Sequence, residues 1–240
     1  MSTAPKKTAV VTGATGGMGR LIVADLARDH HVYALGRNPE KLAELDDLAN
    51  VTALAVDLTV LLREDADLAE YPGLAALGEL GHVDLLVHGA GLMERRSVEQ
   101  ATAADWQLQF NVNAVLPALL TRLLLPTLRT ARGQIIFINS INGQTPAAGH
   151  SVYVASKHAL RGIADSLRDE VSPDGVRVAS LFPSGTDTAM MRKMVAQVGE
   201  DVYRPEYYSD PAEIARAVRL IADTGETTQF TNLDIRPRRP

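Results

Sequence analysis

A tyrosine and a lysine, Tyr153 and Lys157, stand four residues apart in the segment YVASK. At the start of a helix this spacing places both side chains on one face, so that both can act on one ligand. A free phenol has a pKa of about 10 and is a weak base at neutral pH, but a neighbouring ammonium favours the phenolate. The pair predicts acid/base chemistry by Tyr153, with Lys157 lowering its pKa. The same spacing also occurs by chance in many helices.

Polar residues upstream of this pair complete a candidate site. Ser140 precedes Tyr153 by 13 residues and follows a predicted strand, which places its hydroxyl where it can hydrogen-bond a substrate oxygen. Asn113 lies within the otherwise apolar run NVNAVLPALL. A buried asparagine must find partners, so Asn113 is either a structural polar contact or part of a proton path. His150 either lines the substrate pocket beside Ser140 and Tyr153 or stands in solvent on a loop.

A glycine-rich turn near the N-terminus predicts a phosphate-binding site. The segment TGATGGMG, residues 12–19, follows an apolar run and precedes a helical pattern. Glycines at a strand-to-helix turn let the backbone approach a pyrophosphate, whose charge then lies against the free amides of the helix N-terminus. A tight turn without a ligand is the alternative. The predicted cofactor contacts in this turn are Gly13, Thr15, Gly16, Gly17, Met18 and Gly19.

Arg37 indicates which dinucleotide this turn would receive. It follows the second predicted strand, in ALGRN, where an NAD-binding fold usually carries a carboxylate for the ribose hydroxyls. A carboxylate there would repel a 2′-phosphate, whereas a guanidinium pairs with it. The sequence therefore predicts that NADP(H) is preferred over NAD(H). The alternative is that Arg37 is an ordinary surface cation.

Two further strand ends carry candidate cofactor contacts. Asp57, which precedes Leu58, either accepts a hydrogen bond from an adenine amino group or caps the next segment. The segment HGAG, residues 88–91, follows the fourth predicted strand with small residues, which permit close approach of a ligand but also form ordinary turns. Ligands of doubly wound sheets bind at the carboxyl edge. We therefore predict cofactor contacts at Asp57, Leu58, His88, Ala90 and Gly91.

Short apolar runs alternate with amphipathic stretches along the chain, and each run suits a strand buried on both faces. The alternation predicts an α/β fold with a doubly wound, mostly parallel sheet of about seven strands flanked by helices. We predict one domain over residues 1–240, with a weakly patterned stretch at 59–82 and a mobile substrate-loop insertion at 187–208. The predicted strands are Thr8–Thr12, Val32–Leu35, Val51–Val56, Asp84–His88, Gln134–Asn139, Val176–Phe182 and Phe230–Ile235.

The composition argues against several classes of protein. The net charge of −5 argues against a nucleic-acid partner. The absence of cysteine excludes disulfides and cysteine-ligated metals, and the six histidines are scattered, so we predict no metal site. The N-terminal residues have no export signal, and no run reaches the roughly 18 uninterrupted apolar residues of a spanning helix. We predict a cytoplasmic protein without a membrane partner.

In order and spacing, these motifs resemble those of the short-chain dehydrogenase/reductase family. The resemblance covers nearly the whole chain, from TGATGGMG through HGAG and YVASK to FPSGTDT at 182–188. It implies hydride transfer between NADP(H) and a small carbonyl or alcohol substrate, with Tyr153 as the acid/base and Ser140 orienting the substrate oxygen. It also implies that Lys157 holds the nicotinamide ribose and that Asn113 anchors a water in the proton relay. The residues implied to flank the nicotinamide are Pro183, Thr186 and Thr188.

The chain departs from the family pattern at two places. His88 and Gly89 replace the two asparagines of the usual NNAG, so the hydrogen bonds that support this turn must be rearranged. Ser184 replaces the glycine that usually follows the proline at 183. Neither change removes a catalytic group.

Two other functions fit the same fold. A non-catalytic nucleotide sensor would keep the fold but has no need of an activated phenol. An epimerase or dehydratase usually carries a longer C-terminal substrate domain than this chain has after Thr188. On assembly, we predict a homodimer or homotetramer, because the predicted helices around 104–130 and 153–171 resemble those that pair between subunits in the family.

Overall fold

The protein is described by a computed structural model that covers residues 6–197, 199 and 203–238. Seven strands form one sheet, and every pair of neighbouring strands in the described residues is parallel. All seven predicted strands are present, each within two residues of its predicted bounds. They are β1 Lys7–Thr12, β2 His30–Gly36, β3 Val51–Ala55, β4 Leu85–His88, β5 Gln134–Ile138, β6 Arg177–Pro183 and β7 Asn232–Ile235.

The strand order places the predicted site residues at one edge of the sheet. The order is β3-β2-β1-β4-β5-β6-β7, so the chain reverses direction across the sheet between β3 and β4. Ligands of such sheets bind outside the carboxyl ends of the strands at this switch point. Thr12 at the end of β1 is level with His88 at the end of β4. The glycine-rich turn and the HGAG segment are therefore neighbours.

Helices cover both faces of the sheet. They are α1 Gly17–Leu26, α2 Pro39–Asp46, α3 Pro72–Gly78, α4 Ala103–Phe110, α5 Leu116–Ala131, α6 Ser151–Val171, α7 Ala189–Ala196 and α8 Pro211–Ala222. Apolar residues of α1, α2 and α8 pack on one face of the strands, and those of α3, α5 and α6 pack on the other. The strands are buried between these two layers, which explains their nearly continuous apolar sequences.

A π-helical turn, Asn111–Val115, joins α4 to α5 in one continuous helical stretch. This stretch, Ala103–Ala131, is long and apolar enough to cross a membrane. Of its most apolar 18-residue segment, 44% is buried inside the protein. Its residues Leu120, Leu124 and Leu128 recur at helical spacing and lie in the core against the sheet. Packing of these residues against the sheet accounts for part of the apolar composition. The predicted absence of a membrane partner stays a prediction.

The two weakly patterned stretches have short elements. The stretch 59–82 contains α3 and 3-10 turns at Leu58–Leu62 and Leu68–Glu70, which agrees with the predicted combination of helix and loops. The predicted insertion 187–208 contains α7, and its residues 198 and 200–202 lie outside the described residues. A backbone hydrogen bond joins the two ends of the insertion, because Asp187 N donates to Ser209 O at 2.9 Å. The mobility of this insertion stays a prediction.

Candidate active site

Two glycines in the turn after β1 are required by the backbone around them. Gly13 has a φ of +66°, and a Cβ on it would lie 2.6 Å from Gly89 O. A Cβ on Gly19 would lie 2.1 Å from Gly13 O. The helix α1 begins at Gly17 without a side-chain cap at Gly16, so its first amides can face an anion. This turn fits the pyrophosphate of a dinucleotide.

Thr12 holds the turn after β4 against the turn after β1. Its Oγ1 accepts hydrogen bonds from Gly89 N and Ala90 N, both at 3.1 Å. A Cβ on Gly89 would lie 2.7 Å from Thr12 O, so the backbones of the two turns are in contact there. A Cβ on Gly91 would lie 3.8 Å from Lys157 Nζ. The two turns thus form a continuous surface that leads from the glycines predicted to bind phosphate to the predicted catalytic residues.

The side chain of His88 lies beneath this surface, so a cofactor contact at this position would be made by the backbone, and the predicted contact stays a prediction. His88 is 2% exposed, its ring stacks on Phe137 with centroids 4.7 Å apart, and its Nε2 is hydrogen-bonded to Thr121 Oγ1 of α5 at 2.8 Å. Burial lowers the pKa of His88 to about 3, so the ring is neutral at pH 7. His88 therefore anchors the end of β4 to α5 where the family usually has an asparagine.

The end of β5 and the first turns of α6 bring Ser140, Tyr153 and Lys157 together, all of them buried. Ser140 Oγ accepts from Asn142 N at 3.2 Å, and the Ser140 hydroxyl lies close enough to the Tyr153 side chain to lower its pKa. Lys157 Nζ donates to Ile138 O at 3.1 Å and lies 5.9 Å from the centre of the Tyr153 ring. The predicted catalytic set is therefore assembled in space, beside the turn that ends at Gly91.

Burial shifts both ionisable groups of this cluster towards their neutral forms. Burial raises the pKa of the Tyr153 phenol, and the Ser140 hydroxyl, which lowers it, does not cancel this effect. Burial lowers the pKa of Lys157 to about 8. The prediction that Lys157 brings the pKa of Tyr153 below its ordinary value is thus wrong, because the net effect of the surroundings is to raise this pKa. Tyr153 holds its proton at neutral pH and is suited to donate it to a developing alkoxide.

Asn113 lies in the π turn with no exposed surface. Its Oδ1 accepts from Leu92 N at 2.8 Å, and its Nδ2 donates to Leu92 O at 2.8 Å and to Ser156 Oγ at 3.0 Å. Ser156 Oγ in turn donates to Tyr153 O at 2.8 Å. The side chain is therefore a structural polar contact that connects the loop after β4 to the start of α6. Its predicted role in anchoring a water stays a prediction.

Arg37 and Asp57 follow β2 and β3, on the other side of β1 from β4 and β5. Arg37 is exposed, and within the described part of the chain its guanidinium has no hydrogen bond or ion pair. Asp57 is also exposed, and its Oδ1 accepts from Thr59 N at 3.0 Å at the start of the 3-10 turn that opens with Leu58. The capping alternative for Asp57 is therefore confirmed. An additional contact with adenine stays a prediction.

The predicted nicotinamide segment follows Pro183 at the end of β6. Thr188 caps α7, and its Cγ2 lies 3.2 Å from the position that a Cβ on Gly17 would take. Thr186 is buried and donates to Ser184 O at 3.1 Å. The segment therefore borders the start of α1, as expected for a chain that covers a bound dinucleotide.

His150 stands directly before α6, half-buried, with Nδ1 hydrogen-bonded to Ala148 O at 3.1 Å. Its backbone forms an isolated bridge with Arg96. This bridge places the loop after β4 beside the residues that lead to Tyr153. Contact of His150 with a substrate stays a prediction.

Three residues outside the predicted set hold the site together, namely Thr12, Thr121 and Ser156. They contact Gly89, His88 and Asn113, which lie 77, 33 and 43 residues away along the chain. Local sequence patterns carry no signal for the contacts of Thr121 and Ser156. For Thr12, its position at the end of the first predicted strand is a feature that indicates its role.

Comparison with known proteins agrees with this geometry. Residues 7–199 match the family described as short chain dehydrogenase. The chain is similar to a solved structure from Corynebacterium glutamicum assigned to the short-chain dehydrogenases/reductases, with 42% identity, a TM-score of 0.71, and coverage of 96% of this chain and 100% of that one. It is 30% identical to the NADP-dependent 3-hydroxy acid dehydrogenase of Escherichia coli, over 95% of this chain and 94% of the relative. A serine dehydrogenase complexed with NADP+ has 27% identity and a TM-score of 0.85, with 96% of this chain and 94% of that one covered.

Proposed function

The chain belongs to the short-chain dehydrogenase family of oxidoreductases, and on that premise we propose that it transfers a hydride between NADP(H) and a carbonyl or secondary alcohol. The observation that carries this proposal is the buried cluster of Ser140, Tyr153 and Lys157 beside the open glycine turn. A nucleotide sensor would need the turn but not the cluster.

The nicotinamide ring supplies or accepts the hydride when the cofactor is bound. In reduction, Tyr153 donates its phenolic proton to the substrate oxygen while the Ser140 hydroxyl hydrogen-bonds the same oxygen. The raised pKa of Tyr153 keeps the proton in place until that oxygen gains negative charge. In oxidation, the phenolate takes the proton back from the alcohol, and the ammonium of Lys157 favours this phenolate.

Three features support NADP(H) as the cofactor. The exposed guanidinium of Arg37 is available for a 2′-phosphate. One relative is named as NADP-dependent, and one structural neighbour is complexed with NADP+. The phosphate turn from Gly13 to Gly19 would hold the pyrophosphate, and Lys157 would hold the nicotinamide ribose.

Absorbance of NADPH, followed with a panel of aldehydes, ketones and secondary alcohols, tests the proposed function. We expect turnover with at least one compound and none with the Tyr153→Phe variant. Tight binding of NADPH without turnover of any compound would instead favour the nucleotide sensor.

We also propose a cytoplasmic homodimer or homotetramer that pairs through α4, α5 and α6. Along α6, Ala155 and Ala159 are half-buried and Gly162 is exposed, and a Cβ on Gly162 would meet no atom within 4 Å. Small side chains permit close approach of helices from two subunits. Light scattering that shows a monomer at micromolar concentration would contradict this assembly.

A further inference from the structure

The loop after β4 is held by three side chains of the helical stretch that begins with α4. Asn113 pairs with both backbone groups of Leu92 at 2.8 Å. Gln109 accepts from Glu94 N at 3.2 Å and donates to Glu94 O at 3.4 Å. Asp105 accepts from the side chain of Arg96 at 3.2 Å. Positions 105, 109 and 113 of the helix thus pair, in reverse order, with positions 96, 94 and 92 of the loop.

This pairing sets the register of the loop. The three contacts are spaced four residues apart on the helical stretch and two residues apart on the loop. The charged groups of Glu94 and Arg96 are 3.4 Å apart, and Arg96 also pairs with Asp105 of α4.

Arg95 lies next to the segment that leads to the catalytic tyrosine. Its Nε is 3.2 Å from the position that a Cβ on Gly149 would take, and Gly149 is four residues before Tyr153. The backbone of the next residue, Arg96, accepts a hydrogen bond from Ser151 N at 3.1 Å. The loop is thus fixed against the start of α6 on one side and against α4 on the other.

Arg95 is exposed, and its guanidinium has no ion pair or hydrogen bond within residues 6–197, 199 and 203–238. The neighbouring carboxylates are already engaged, because Arg96 pairs with both Glu94 and Asp105. A fixed loop therefore presents a cation without an anionic partner beside the residues that lead to Tyr153. A guanidinium in this position suits a carboxylate, which it can bind through two parallel hydrogen bonds.

We infer that Arg95 determines specificity by binding the carboxylate of the substrate, so that the enzyme acts on hydroxy acids and on the corresponding oxo acids. This inference rests on the proposed function, since it names the substrate class of the same site.

The test compares 3-hydroxybutanoate with its methyl ester, which has the same reacting alcohol but no charge. Formation of NADPH from NADP+ is followed for the unmodified protein and for Arg95→Ala and Arg95→Lys. Arg28→Ala is the control, because the Arg28 side chain is 77% exposed and lies beyond the C-terminal end of α1, at the opposite edge of the sheet. Thermal melting checks that each variant is folded.

We expect the unmodified protein to prefer the acid, and the ratio of acid to ester kcat/KM to fall about tenfold or more in Arg95→Ala, which is the loss of one charge-assisted contact. The lower ratio should result from a higher KM for the acid. Arg95→Lys should retain part of the preference for the acid over the ester. Arg28→Ala should have the same ratio as the unmodified protein. Equal use of acid and ester, or an acid preference that survives Arg95→Ala, would overturn the inference. The inference would also be overturned if the unmodified protein reduced neutral carbonyls but oxidised neither 3-hydroxybutanoate nor its methyl ester. A protein that turns over no compound at all would remove the proposed function instead.

Discussion

The two sides of the candidate site differ in burial. Ser140, Tyr153 and Lys157, at the end of β5 and on α6, are buried, and each makes hydrogen bonds with neighbouring protein groups. Arg37 and Asp57, after β2 and β3, are exposed. Burial fixes the proposed reacting groups in position and shifts the pKa values of Tyr153 and Lys157, whereas exposed charges remain screened by water and salt.

This difference in burial indicates that the two sides have different roles. Substitutions on the buried side should change the rate of the chemical step, because they alter a proton donor or its environment. Substitutions on the exposed side should change affinity for the cofactor and leave the chemical step alone. Variants on the two sides therefore distinguish an effect on the chemical step from an effect on cofactor affinity.

Tyr153→Phe should abolish turnover, a loss of about 10³-fold or more, since it removes the transferable proton but keeps the buried ring. The affinity for NADPH should remain nearly intact. Single-turnover rates and NADPH titration measure the two quantities separately. Near-normal turnover would show that Tyr153 is not the proton donor and would favour a nucleotide-sensing role.

Ser140→Ala should lower turnover by about 10²- to 10³-fold, because it removes a hydrogen bond to the developing oxyanion. The Ser140 hydroxyl lowers the pKa of Tyr153, so its loss should move the pH dependence of alcohol oxidation to higher pH. Ser140→Thr, which keeps a hydroxyl, is the matched control. An unshifted pH profile would mean that Ser140 acts on the substrate alone.

Lys157→Met should weaken both turnover and NADPH binding, since one ammonium would serve the phenol and the ribose. Burial lowers the pKa of Lys157 to about 8, so the ammonium is present below this pH and lost above it. NADPH affinity of the unmodified protein should therefore fall as the pH rises through 8, and the variant should lack this change. Fluorescence titration from pH 6 to pH 9.5 tests both statements, and a pH dependence shared by the two proteins would contradict the assignment.

Arg37→Asp should reverse the cofactor preference and weaken NADPH binding about tenfold or more, the loss of one charge-assisted contact. Turnover with saturating cofactor should change little. Lys41→Asp is the matched control, because it makes the same change of charge at an exposed position one turn into α2. If NADH binds the unmodified protein as well as NADPH does, Arg37 has no part in selection.

His88→Asn should change how stability depends on pH. The pKa of His88 is lowered from its ordinary 6.5 to about 3, so between these pH values the unfolded chain binds a proton that the folded protein does not. The free energy of unfolding of the unmodified protein should therefore fall as the pH drops below 6.5, by up to about 1.4 kcal/mol per unit from this residue. Urea unfolding at pH 7 and pH 5 should show a smaller fall for the variant. Equal falls would mean that His88 is not buried as a neutral ring.

Much of this protein is determined by local sequence. The seven strands follow from short apolar runs with a fixed spacing of amphipathic stretches, and the phosphate turn follows from glycines such as Gly13, whose positive φ and close contacts leave no room for a side chain. The proposed catalytic set follows from residue types that stand at strand ends and at helical spacing.

Only the tertiary structure decided how those residues are supported. It packed the His88 side chain against Thr121, paired the loop at residues 92–96 with side chains of α4 and of the π turn, and raised the pKa of Tyr153 where the sequence predicted a fall. Each of these depends on contacts between distant parts of the chain or on exclusion of water. Residue spacing within one segment predicts neither the distant contacts nor the exclusion of water, because both arise only when the helices pack against the sheet.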